Sequence, residues 1–92
     1  MVQPYSQADL TYDLFDRAEE FNTAYHSLGR VTKRRGPDWT RYFLLSQSIE
    51  LALKAFLALH GKASKELRKK FGHNLNKLLK EARYWEKRTY LG

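Results

Sequence analysis

An all-α fold is what this sequence predicts: an antiparallel bundle of three long helices, with a short helical turn before the third. Three observations lead there. Residues 39–60 form one long apolar stretch with helical periodicity. Two other stretches repeat apolar residues at steps of three and four. The two-residue alternation of a half-buried strand occurs nowhere.

The first helix is expected over residues 6–28. Ser6-Gln7-Ala8-Asp9 reads as a capping box with Asp in the place of Glu. Leu10, Leu14, Ala18, Phe21, Tyr25 and Leu28 then fall within about 80° of one another, a seam suited to one neighbouring helix. Gly29 stops it. Residues 29–38, GRVTKRRGPD, read as a basic loop, and Asp38 is placed to cap the next helix.

The central helix is the widest apolar element. Leu44, Leu45, Ile49, Leu51, Ala52, Leu53, Ala55, Phe56 and Leu59 cover roughly 200° of its circumference, about twice the arc of a surface helix. A narrow stripe of Ser46, Gln47, Glu50 and Lys54 completes the circle. Glu50 and Lys54 stand at i and i+4, where they can pair. Their charges argue against a membrane span. Trp39, Tyr42 and Phe43 are expected in the core, because helical spacing accounts for them without a base-stacking role.

After the stop at His60-Gly61, residues 62–71 are strongly basic, and Ser64 can cap a short turn. Gly72 ends that turn. Leu75, Leu78, Leu79, Ala82 and Trp85 then mark one apolar face of the last long helix.

The totals narrow the class further. A chain of 92 residues makes one small domain with a limited core. It has no cysteine, which excludes disulfides and thiolate metal sites and fits a cytoplasmic location. The opening MVQPYSQADL lacks the basic and apolar regions of a secretory signal. Oligomerisation is the stabiliser that remains. A homodimer is expected, with Leu44, Leu51 and Ala55 on the part of the central helix that two neighbours leave uncovered.

Charge is unevenly spread within the net +7: residues 1–28 carry −4 and residues 29–92 carry +11. The basic part suits a phosphate-rich partner. Salt-sensitive RNA binding is expected through Lys33, Arg34, Arg35, Arg68, Lys69 and Lys70. Solvated helix surfaces account for the same charges.

No glycine-rich phosphate loop is present. His26, His60 and His73 are too far apart in sequence for a metal-binding pair, so neither a metal nor a cofactor is expected. Two chemically interesting features remain. Gln47, Glu50 and Lys54 lie on a mostly apolar helix, as a structural ion pair or as a ligand site. His73 and Asn74 stand at the start of the last helix, where they can cap it or meet an anion.

The run Ser48-Ile-Glu-Leu-Ala-Leu-Lys-Ala-Phe-Leu, a glycine, a basic connector and Gly72-His-Asn-Leu-Asn-Lys-Leu-Leu-Lys-Glu-Ala82 together resemble the HEPN superfamily. These are α-helical domains associated with nucleotide or RNA binding. Their signature places a glutamate and a lysine on the second long helix and Gly/Thr-His-Asp/Asn-Leu before the third. The resemblance covers about half the chain. It implies a single HEPN-like domain over residues 1–92, ending before the family's last helix. It also implies a dimer, a nucleotidyltransferase partner protein in a toxin–antitoxin pair, and a ligand site made of Gln47, Glu50, Lys54, His73 and Asn74. Ribonuclease members carry an arginine, four to six residues, then a histidine. Arg68 and His73 meet that spacing, with Lys69 in place of the family's polar residue and Leu75 in place of the tyrosine of some toxins.

Three functions stay open. One is an accessory module binding nucleotide, RNA or a partner protein. Another is a metal-independent ribonuclease in which Arg68 orients phosphate and His73 moves a proton. The third is a purely structural interaction domain.

Overall fold

The computed structural model describes residues 5–28 and 38–91, with side chains up to residue 88. Helix α1 spans Gln7–Leu28 and α2 spans Trp39–Leu59. The short α3, Ser64–Glu66, runs directly into a π-helical stretch, Leu67–Phe71, and α4 spans Leu75–Leu91. No strand occurs among the described residues.

Local hydrogen bonds set the start of α1, both ends of α2 and the start of α4. At α1, Asp9 N–H donates to Ser6 Oγ at 3.0 Å and Ser6 N–H donates to Asp9 Oδ2 at 2.9 Å, a reciprocal capping box. Hydrogen bonding to the carboxyl, from the Ser6 backbone N–H first and from the Ser6 hydroxyl second, holds Asp9 below the usual aspartate range. At α2, Asp38 Oδ1 accepts from Arg41 N–H at 3.2 Å. The helix closes at His60 in a Schellman motif: Gly61 N–H reaches Ala58 O at 3.0 Å and Lys62 N–H reaches Leu57 O at 3.1 Å. Gly61 takes φ +94°, a region costly for any residue with a Cβ. At α4, Asn74 Oδ1 accepts from Lys77 N–H at 3.1 Å and so caps the helix.

Helices α1 and α2 run antiparallel along most of their length. Gln7 Nε2 donates to the carbonyls of Ala58 at 2.8 Å and Lys62 at 2.6 Å, at one end of the pair. Ser48 Oγ donates to Ala18 O at 2.9 Å in the middle, and Arg41 stacks over the Tyr25 ring at the other end. The Gln7 amide thereby ties the start of α1 to Ala58 near the end of α2 and to Lys62 just beyond it.

Helix α4 departs from the expected antiparallel bundle. Its contacts with α2 progress in the same sense, from His73 against Glu50 near its start to Trp85 stacked on His60 further along. The return stroke belongs to α3 and the π-helical stretch. Their Leu67 and Phe71 are buried with Leu10, Leu57, Ala58 and Leu78 in the core. Leu57 and Leu78 are fully buried, each worth about 1.5–3 kcal/mol of transfer free energy.

The central helix also points differently from expectation. Its buried residues are Glu50, Lys54, Ala55, Leu57 and Ala58, so the polar stripe faces the protein interior. Ile49 and Leu59 are exposed, although periodicity placed them in the buried arc. Trp39, Tyr42 and Phe43 are exposed as well, not in the core. Of the residues expected on the uncovered face, Ala55 is buried and Leu44 and Leu51 are half-buried. The physical reason is the packing of the connector and His73: Leu67 and Phe71 cluster with Leu57 and Ala58, and His73 binds Glu50, which leaves an apolar side of α2 outward.

Candidate functional site

Three elements build one polar corner. The middle of α2 supplies Glu50 and Lys54, one turn apart. The π-helical stretch ends at Gly72, whose N–H donates to the carbonyls of Leu67 and Arg68, both at 3.1 Å. Gly72 adopts φ +52° and ψ −121°, a combination open to glycine and strained for other residues. That reversal swings the chain so that His73 faces α2 and Asn74 caps α4.

Glu50 Oε2 sits 3.2 Å from Lys54 Nζ and 2.8 Å from His73 Nδ1. The side chains of Glu50 and Lys54 are 6% and 10% exposed, whereas that of His73 is 82% exposed. A buried carboxylate is costly unless it is paired and hydrogen-bonded, and here Lys54 balances its charge. A carboxylate only accepts hydrogen bonds, so in the neutral imidazole Nδ1 carries the hydrogen. Nε2 then offers its lone pair to solvent. Arg68, Lys69 and Lys70 are exposed on the turn just before His73, and Lys70 Nζ lies 5.4 Å from the Phe71 ring centre. The corner can therefore fix an imidazole in one orientation, receive an anion on adjacent cations, and accept or donate a proton at Nε2.

The structure brings Glu50, Lys54 and His73 together. It assigns Asn74 Oδ1 to the α4 cap. Gln47 is half-buried on α2, three residues before Glu50. Lys33, Arg34 and Arg35 lie outside the described residues. No group of three or more His, Cys, Asp or Glu suited to a metal ion occurs among the described residues.

Sequence reasoning missed a second polar cluster. Lys62 Nζ lies 3.4 Å from both Glu66 Oε1 and Glu81 Oε1, and 5.5 Å from the centre of the Trp85 ring. Trp85 Nε1 donates to Glu81 Oε1 at 3.2 Å, and His60 stacks on Trp85 with ring centres 5.5 Å apart. The Lys62–Glu66 spacing of four was legible; the arrival of Glu81 from α4 was not.

The larger concavities are elsewhere. A groove of about 680 Å³ lies between α1 and α2, and another of about 410 Å³ between α2 and α4. Both are lined mainly by apolar side chains and neither includes Glu50, Lys54 or His73. Volume and chemistry thus separate, and a charged ligand belongs with the chemistry, since an apolar groove offers it no counter-charge. No family model, curated protein or solved structure matches the chain.

Proposed function

We propose that this chain is a HEPN-like accessory module that binds a phosphate-bearing ligand, a nucleotide or RNA, at the His73 corner. One observation supports the reading above others: a buried, charge-balanced Glu50 holds an exposed imidazole directly after a run of three exposed cations. A purely structural histidine is normally enclosed by its contacts, and this one is open. Arg68, Lys69 and Lys70 supply the sequence-independent attraction, and His73 supplies a directional contact to a phosphate oxygen. The toxin–antitoxin setting and the nucleotidyltransferase partner rest on the family resemblance alone.

The test is a titration of labelled poly(U) and of ATP at low and high salt. Affinity should fall steeply with salt for the natural chain, and His73→Ala should weaken it further at every salt concentration. Binding indifferent to salt and to His73→Ala would reject the proposal.

The geometry of Glu50 and His73 favours one second reading, ribonuclease activity. His73 Nε2 would take the proton of a ribose 2′-hydroxyl. The 2′-oxygen would attack the adjacent phosphorus as the 5′-oxygen leaves, taking a proton from solvent water while His73 gives its proton back to solvent, giving a 2′,3′-cyclic phosphate and a 5′-hydroxyl. Arg68 would hold the phosphate, and Glu50 would act as a positioning residue. RNA cleavage leaving cyclic phosphate ends, lost in His73→Ala and restored by no metal, selects this reading; intact RNA after prolonged incubation with the natural chain removes it.

A further inference from the structure

The outward side of α2 has a pattern of its own. Tyr42, Leu45, Ile49, Ala52, Phe56 and Leu59 follow at steps of three, four, three, four and three. Those are the a and d positions of three successive heptads, and they share an arc of about 100°. Tyr42, Ile49 and Leu59 are 66%, 44% and 69% exposed, Ala52 is exposed, and Leu45 and Phe56 are half-buried. The buried Glu50, Lys54 and Leu57 face the opposite way. So α2 has its ion pair inside and its coiled-coil seam outside. Both choices raise the free energy of a lone chain.

We infer that the seam packs against the α2 seam of a second copy, antiparallel about a two-fold axis between Ile49 and Ala52. The pattern itself selects that occupant. Centred there, every seam residue meets a complementary one: Ile49 meets the second copy's Ala52, Leu45 its Phe56, and Tyr42 its Leu59. Each a position thus faces a d position, as in antiparallel coiled coils, and the large Ile49 falls on the small Ala52, so the helices can approach closely. A parallel pairing would stack Ala52 on Ala52 and Phe56 on Phe56, leaving a gap beside a crowded layer. Arg83 and Glu86 of α4 border the same face.

The absence of cysteine in the natural sequence makes a clean test. Sedimentation equilibrium of the full chain should give twice the chain mass of 10.9 kDa. Ala52→Glu alters an exposed position and should give single chains with unchanged helical circular dichroism. Chains carrying Ile49→Cys and Ala52→Cys, mixed and oxidised, should form the mixed disulfide in preference to either self-pair. This cross-linking does not depend on how Ala52→Glu folds. A natural chain that stays monomeric at high micromolar concentration overturns the inference. So does a monomer that instead sediments with phosphatidylglycerol–phosphatidylcholine vesicles, the occupant α2 would suit by its length and hydropathy. Self-linking of Ala52→Cys as fast as the mixed reaction overturns the antiparallel arrangement.

Discussion

Lys54 holds its ammonium 3.2 Å from Glu50 with both side chains almost fully buried. Replacing it by Met removes one partner of a buried pair and strands the other. Breaking such pairs costs about 3–5 kcal/mol. His73 keeps its hold on Glu50, so Lys54→Met should cost roughly 3 kcal/mol by denaturant titration, the lower end of that range. Adding Glu50→Gln to Lys54→Met should recover most of the loss, and failure to recover it would mean that the penalty is one of packing. Lys62 gives a pH signature. Burial pulls its pKa down, but the hydrogen bonds and charges of Glu66 and Glu81 outweigh that, and the net shift is upward. A folded-state amine with a raised pKa adds stability that is complete below its unfolded value, about 10.4, and fades as pH climbs through the folded value. At neutral pH Lys62→Met should therefore cost up to about 1 kcal/mol, with solvent at the part-exposed Glu66 screening the pair. The gap between the natural chain and the variant should narrow only in alkaline solution; a gap that persists there contradicts the ionic account. Spacing revealed the Glu50–Lys54 pair, because both residues lie on one helix. The family resemblance grouped His73 with that pair, and the structure brings it to Glu50; nothing in the sequence signalled Glu81, which arrives from α4 packed alongside.

The two turn glycines separate local strain from site geometry. Gly61 takes φ +94° with open space where a Cβ would stand. Gly61→Ala should therefore cost about 1–2 kcal/mol through backbone conformation alone, without altering ligand binding. Gly72 takes φ +52°, and its Cβ would lie 3.7 Å from Arg68 O, an ordinary contact. Gly72→Ala is strained by conformation too, but here the turn aims His73, so RNA binding should weaken beyond the loss of stability. Equal effects of the two variants on binding would disconnect Gly72 from the site. At this scale the helix boundaries were readable, because they are set by local chemistry: the Ser6–Asp9 box, the Asp38 cap and the Gly61 stop are all visible in the chain. The inward side of α2 was not readable. An apolar arc of about 200° leaves the helix no unique direction to face. The choice goes with what packs on the other side: Leu67 and Phe71 join Leu57 and Ala58 in the core, His73 holds Glu50, and Ile49, Ala52 and Leu59 are left outward. The π-helical stretch Leu67–Phe71 had no advance signal either; its basic residues suggested only a short turn.

At the scale of the molecule, charge and apolar surface are separated. Arg68, Lys69 and Lys70 stand exposed directly before His73, while Tyr42, Ile49 and Leu59 are exposed along the outer side of α2. A phosphate-bearing ligand and a second copy can then bind without competing. The three histidines provide the most direct test of ligand placement. His26 is exposed on α1, His60 is stacked on Trp85 with Phe56 tilted against it, and His73 is held by Glu50. Long-range proton–nitrogen NMR resolves each imidazole and reports on each nitrogen. On titration with a short RNA, the His73 Nε2 signal should move with the bound fraction and Nδ1 should keep its hydrogen bond, while His26 and His60 stay in place. Saturating RNA that leaves His73 unmoved, or shifts all three histidines alike, would contradict a phosphate-binding site at this corner.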